Sequence, residues 1–140
     1  MLILIAESKT MSDRESEVRN PQFPMGEEAA DELCAELAKK SVAEIAGMLK
    51  VSPRLAAASL RMTREFPIKS LGLRTIDAYT GVVFKALDAD SLSKDAIDFA
   101  DRHLLIVSSL YGLLRPTDTI KPYRLDYTSK AAPEADPLWK

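Results

Sequence analysis

The sequence predicts an α/β protein with a small mixed or parallel sheet. Apolar runs of strand length occur at 2–6 and 104–108, and β-branched and aromatic residues predict a third strand at 74–79. Helical periodicity and helix caps between the predicted strands at 2–6 and 74–79 predict a helical hairpin inserted near 41–65. At this length the chain is expected to form a single α/β domain, 1–140.

Helix signals follow the first strand in order. A helix is expected over 27–39, where apolar and small residues recur at helical spacing. Ser41 and Glu44 stand three residues apart, which is the spacing of a capping box at the start of a second helix. Ser52 followed by Pro53 combines a favourable N-cap with proline at the first helical position, so a third helix begins there.

The remaining predicted elements are shorter. The 74–79 strand leads to a turn at Gly81 and a short helix through about Leu87. Ser93 is expected to cap a helix that ends near His103, and the second apolar run follows it directly. This alternation of strands and helices is typical of an α/β sheet.

Composition excludes several classes of protein. The net charge is −2, so the molecule as a whole is not a polycation. One cysteine, Cys34, excludes an internal disulfide and suits a reducing compartment. One cysteine and one histidine offer no His/Cys metal site, so no metal or cofactor is predicted. No apolar run approaches the roughly 18 residues of a membrane span, and the N-terminus lacks a signal-peptide pattern, so a cytoplasmic location without a membrane partner is expected.

Polar and aromatic residues follow each predicted strand. If the strands are parallel, these residues converge on one edge of the sheet, where α/β proteins bind ligands. Arginines at such an edge suit bidentate recognition of phosphate or carboxylate. The expected pocket and anion-binding residues of this edge are Ser8, Lys9, Thr10, Tyr79, Gly81, Tyr111, Gly112, Arg115, Tyr123 and Arg124.

Two residues are candidates for a catalytic role. Lys9 follows the first strand, where it could anchor an anion or, with a lowered pKa, act as a Schiff-base nucleophile. Asp118 could orient an arginine or act as an acid or base. Each also has a plainer interpretation, since a loop lysine is usually solvated and an aspartate in a turn usually caps it.

The helical hairpin also has two interpretations. It could grip backbone phosphate through the amides at the start of its second helix, with Lys50, Ser52 and Arg54. From the pattern alone, a packed hairpin without a ligand is the simpler interpretation. A sequence-specific reader of bases is not expected, because few side chains in 53–61 could recognise base edges.

Several motifs make the chain similar to the YaaA family of bacterial peroxide-stress proteins. They extend over the whole chain, and the leucine-tyrosine-glycine motif is specific. The family's usual Ser-Pro-Ala-Lys is here Ala6-Glu-Ser-Lys9, so the lysine is kept and the proline is replaced by an acid. The matching segments are 1–10, Ala78-Tyr-Thr-Gly81, Ser109-Leu-Tyr-Gly-Leu-Leu-Arg-Pro-Thr-Asp118, Pro122-Tyr-Arg-Leu125 and Pro137-Leu-Trp-Lys140.

This resemblance implies a role as well as a fold. It implies a protein that binds DNA without sequence preference, through a helix-hairpin-helix and a basic cleft, and that limits iron-driven oxidative damage. It implies no established reaction. The alternative is an enzyme acting on a nucleobase or nucleotide. Family members form a domain of about 250 residues, so this chain is expected to be the N-terminal portion, with a C-terminal half completing the site.

Overall fold

The centre of the fold is a three-stranded mixed sheet. A computed structural model describes residues 1–12, 14, 18–68 and 72–125. Strand β1 (Ile3–Ala6) runs parallel to β3 (Leu104–Ser108), and β4 (Gly112–Leu114) pairs antiparallel to β3. The order β1-β3-β4 confirms the small mixed sheet and places the carboxyl ends of β1 and β3 side by side.

Helices account for about half of the described residues. The capping box at Ser41 and Glu44 is present, and Ser52 accepts a hydrogen bond from the Leu55 amide, as their spacing predicts. The Ser93 cap is also present. The helices are α1 (Glu27–Ala38), α2 (Val42–Leu49), α3 (Pro53–Glu65), α4 (Thr75–Ala78), α5 (Val82–Leu87) and α6 (Lys94–His103).

The strand predicted at 74–79 is wrong. Only β2 (Leu73–Arg74) is extended there, and it pairs antiparallel to β5 (Thr119–Ile120) in a separate two-stranded sheet. Residues from Thr75 onward form α4 because Thr75 donates from its amide (2.7 Å) and its hydroxyl (2.9 Å) to the Asp118 carbonyl. These long-range bonds override the strand propensity of the segment.

The end of α4 nevertheless reaches the edge of the main sheet. Tyr79 forms an isolated antiparallel bridge with Met11. The Ser12 amide donates to the Ala78 carbonyl (2.7 Å), and the Thr80 amide donates to the Thr10 carbonyl (3.0 Å). Tyr79 therefore lies beside the segment that follows β1, although no strand carries it there.

The main sheet is covered on one face only among the described residues. Ile106 and Leu114 are fully buried on the covered face. Leu4 is 60% exposed and Leu113 38% exposed on the other face, and the outer edge of β1 pairs with no described strand. The expectation of a buried first strand is therefore wrong for the described chain, although both faces are apolar, as in sheets covered on both sides.

The helical hairpin packs against α1 and the sheet region through one core. Apolar side chains of α1, α2 and α3 contribute to the same buried cluster, and burial raises the pKa of the Cys34 thiol to about 12. Lys50 adopts a left-handed conformation (φ 54°) between α2 and α3, and the Val51 amide donates to the Ala46 carbonyl (3.2 Å). This turn fixes the position of α3, which carries the basic residues Arg54, Arg61 and Arg64.

No helix in the described ranges is both long and apolar enough to cross a membrane. The family-like segment at 137–140 lies outside the described residues.

Because one face of the main sheet is buried and the other exposed, alanine substitutions of two apolar strand residues should lower the free energy of unfolding by different amounts. In the 140-residue chain, Ile106→Ala should lower the free energy of unfolding by about 2–5 kcal/mol, because it leaves a cavity. Leu4→Ala should cost about 0.5 kcal/mol or less, because the side chain is already exposed. Urea denaturation of both variants checks this, and equal costs would contradict the observed difference in burial.

Candidate functional site

A cleft of about 420 Å³ lies beside the carboxyl end of β1. Its walls come from three parts of the chain: the segment after β1, the C-terminal half of α3 and the segment after β5. The lining residues are Lys9, Thr10, Met11, Ser12, Arg61, Met62, Glu65, Pro122, Tyr123 and Arg124.

Basic side chains dominate the charge of this cleft. Lys9, Arg61 and Arg124 line it with one acid, Glu65. The structure thus brings together two of the three basic residues expected at the sheet edge, Lys9 and Arg124, and adds Arg61. The sequence signal for Arg61 is its spacing of seven residues from Arg54, which places both on one face of a helix. Such an arrangement suits an anionic ligand.

Hydrogen bonds hold the walls of the cleft against one another. The Tyr123 hydroxyl is hydrogen-bonded to the Glu7 carboxylate, which joins the segment after β5 to the segment after β1. The Ser59 hydroxyl donates to the Arg124 carbonyl (3.2 Å), which joins α3 to the segment after β5. These two side-chain hydrogen bonds therefore hold together the backbone segments that carry Lys9, Arg61 and Arg124.

The Tyr123 hydroxyl is the centre of a buried polar network. It lies 2.6 Å from the Ser108 hydroxyl and 2.5 Å from the Tyr79 hydroxyl, in addition to its contact with Glu7. The Ser108 oxygen also accepts from the amides of Leu110 (3.2 Å) and Tyr111 (3.0 Å). Tyr123 in turn donates to the carboxylate.

Glu7 is the unusual member of this network. Burial raises the pKa of its carboxyl above the usual value, while hydrogen bonds from Ser109, Tyr123 and Ser108 oppose the shift. The Ser109 amide donates to Glu7 Oε1 at 3.1 Å. Sequence reasoning did not select Glu7 as a site residue, although it is the acid that replaces the family's proline.

Gly81 allows the close packing of two loops at this edge. A Cβ at Gly81 would lie 2.5 Å from the Ser8 hydroxyl oxygen and 3.0 Å from the Ser8 Cβ. The Ser8 hydroxyl is 3.1 Å from that of Thr10. The three expected pocket residues Ser8, Thr10 and Gly81 therefore lie in one region, with Thr10 in the wall of the cleft.

Four expected residues of the loop after β3 lie outside the walls of the cleft. Tyr111 is buried, and its hydroxyl accepts from the Lys121 amide (3.1 Å). Gly112 has a φ of 77° where the chain turns into β4, a conformation that favours glycine. Arg115 is exposed, and its amide donates to the Asp118 carboxylate (2.8 Å). That contact is the turn-capping arrangement weighed for Asp118.

Burial also affects Asp118 itself. It raises the pKa of the Asp118 carboxyl, and the hydrogen bond from the Arg115 amide opposes the shift. The Asp118 carbonyl meanwhile accepts from Thr75. The residue therefore ties β5 to α4, away from the cleft walls around Lys9.

The residues of the helical hairpin also stand apart from the cleft. Lys50 and Arg54 are exposed at the turn between α2 and α3, and Ser52 caps α3. Arg54 shares the exposed face of α3 with Arg61, which lines the cleft. The helix therefore connects the turn to the cleft through basic residues. Within the described ranges, no three His, Cys, Asp or Glu side chains are grouped to hold a metal ion.

Comparison with known proteins identifies the family. The family model described as "Peroxide stress protein YaaA" matches residues 1–140. The chain therefore belongs to the YaaA family of peroxide stress proteins, as its motifs predict.

Relatives carry the name UPF0246 protein. The chain is 38% identical over 133 residues to one from Parabacteroides distasonis, covering 93% of this chain and 52% of the relative. It is 40% identical over 131 residues to one from Bacteroides fragilis, covering 90% and 50%. A relative from Finegoldia magna is 33% identical over 130 residues, with 93% and 52% covered. The chain thus spans about half the length of these curated relatives.

The buried network predicts a difference between two buried tyrosines. Tyr123→Phe should lower the free energy of unfolding by about 1–3 kcal/mol, because Glu7 and Ser108 each lose a buried partner. Tyr111→Phe, the matched control, removes a single bond to a backbone amide and should cost about 0.5–1.5 kcal/mol. Urea denaturation measures both, and a larger cost for Tyr111→Phe would contradict the assignment of Tyr123 as the centre.

Proposed function

We propose that this protein binds the phosphate backbone of DNA without sequence preference, in the cytoplasm, through α3 and the basic cleft. The observation that carries the proposal is the placement of Arg54 and Arg61 on one exposed face of α3. Their spacing of seven residues corresponds to about 10 Å along the helix axis. Together with Lys50 at one end and Lys9 and Arg124 at the other, they form a basic surface suited to several phosphates.

The shape of α3 supports close approach of a backbone. Ala57 and Ala58 are exposed between the two arginines, so no large side chain separates them. The opposite face of the helix packs into the protein through Ala56 and Leu60. A phosphate backbone could therefore lie along the exposed face, while the buried face keeps the helix in place.

The turn before α3 supports a helix-hairpin-helix mode of binding. Lys50 is exposed in the turn, and the amides at the start of α3 lie at the positive end of the helix. Ser52 uses its hydroxyl to cap the helix. We propose that Lys50 and Arg54 neutralise phosphates here and that the amides add hydrogen bonds to phosphate oxygen.

The proposed role in peroxide stress follows from this binding. The chain belongs to a family described by peroxide stress. We propose that it limits iron-driven oxidative damage by covering DNA, where radicals formed by iron and peroxide would otherwise react. In a plasmid-nicking assay with ferrous iron and peroxide, the full-length protein should reduce nicking, and a variant that does not bind DNA should not.

An enzyme acting on a nucleobase or nucleotide is the second candidate. The observation in its favour is that Lys9 lines the cleft beside Tyr123. A Schiff-base mechanism requires a covalent adduct on Lys9, which borohydride would trap. A trapped DNA or nucleoside adduct that disappears in Lys9→Gln would favour this candidate over simple binding.

Salt dependence provides the quantitative test of DNA binding. For the full-length protein and a DNA duplex, the logarithm of the binding constant should fall linearly with the logarithm of the salt concentration. Arg54→Gln and Arg61→Gln should each reduce the slope by about 0.9, the value for one lost phosphate contact on duplex DNA. Fluorescence anisotropy at several salt concentrations measures the slope.

The control for this test is a cation on another element. Lys94 is exposed at the start of α6, so Lys94→Gln changes the net charge equally and should leave the slope unchanged. Binding that does not depend on salt, or the same slope for all variants, would overturn the proposed binding face.

A further inference from the structure

Glu7 places a half-buried carboxylate one residue away from the wall of the basic cleft. It stands two residues before Lys9, so the two Cα atoms are at most about 7 Å apart. It contacts Tyr123, which lines the cleft. The Glu7 carboxylate is therefore joined to the wall of the cleft through one side chain, and a phosphate bound beside Tyr123 would be separated from it by that residue.

The partners of Glu7 are neutral. The Ser109 amide and the Tyr123 hydroxyl donate to its two oxygens, and the groups that lower its pKa are Ser109, Tyr123 and Ser108. Neutral donors stabilise the ionised form, but they do not cancel its charge. An anion that enters the cleft therefore meets the field of the Glu7 carboxylate as well as the field of the cations.

We propose that Glu7 takes up a proton when a polyanion binds in the basic cleft, so that binding is coupled to pH. This inference rests on the proposed function, since it assumes that the cleft binds phosphate. Once protonated, Glu7 can donate a hydrogen bond to the Tyr123 hydroxyl instead of accepting one from it. The walls of the cleft therefore stay joined while the repulsive charge is removed. The coupling is reciprocal: a lower pH favours binding, and binding favours protonation.

The other ionisable groups near Glu7 do not replace it in this role. Tyr123 faces it from the segment after β5, with Tyr79 behind, and burial raises the pKa of Tyr123 further above neutral pH. The remaining acid of the cleft wall is Glu65 on α3, which makes it the natural control.

The direction of the effect follows from the pKa of Glu7. Burial raises this pKa in the free protein, so protonation begins at a higher pH than for an exposed glutamate. A bound polyanion raises it further. Between the two values, affinity should increase as pH falls, by at most about tenfold per pH unit, the limit for one coupled proton.

The test uses the full-length protein and a short DNA duplex carrying a pH-insensitive dye, titrated at constant ionic strength between about pH 8 and pH 5. Wild type should bind more tightly as the pH falls. Glu7→Gln should bind more tightly than wild type at pH 8, and its affinity should depend less steeply on pH, because proton uptake by Glu7 is lost. Glu65→Gln should also bind more tightly, but its affinity should keep the part of the pH dependence that comes from Glu7.

A second variant keeps the test decisive if Glu7→Gln does not fold. Tyr123→Phe removes a donor from the carboxylate, so it should shift the wild-type pH profile to higher pH. Binding with the same pH slope in wild type and Glu7→Gln, or no shift in Tyr123→Phe, would overturn the proton coupling and leave DNA binding in place. No binding by wild type at any pH would overturn the proposed function, and the coupling with it.

Discussion

The hydrogen bond between Tyr123 and Glu7 is the contact on which the geometry of the candidate site depends. Each residue follows a different strand, and each stands within two residues of a cation that lines the cleft. Without this contact, the segments after β1 and β5 would be joined near the cleft mainly by the Tyr123 amide and Met11, a weak sulfur bond of 3.5 Å.

Local signals made the helices predictable, and long-range contacts made the 74–79 segment unpredictable. The caps at Ser41 and Ser52 depend on residues three positions away, which the sequence displays directly. The helix at Thr75 depends on a carbonyl 43 residues later in the chain. Strands β4 and β5 are only three and two residues long and have too few positions for a period to be visible.

Only part of the candidate site follows from strand direction. Parallel pairing of β1 with β3 puts Lys9 and the loop after β3 at one edge of the sheet. Tyr123 and Arg124 reach the cleft from the segment after β5, which the direction of these two strands does not indicate. Arg115 and Asp118 lie in a turn in which the Asp118 carboxylate accepts from the Arg115 amide, the plainer of the two interpretations that the sequence offered for Asp118. Glu7 requires three-dimensional information, because its importance comes from burial and from partners more than 100 residues away.

In the proposed mode of binding, an ionisable, half-buried Glu7 stands one residue away from a cleft that takes up polyanions. A ¹³C NMR titration of the Glu7 carboxyl in the full-length protein, with and without a DNA duplex, tests this arrangement. The pKa of Glu7 should lie above the ordinary value of a glutamate in the free protein and should rise further when DNA is bound. A Glu7 that titrates like an exposed glutamate and does not respond to DNA would rule it out.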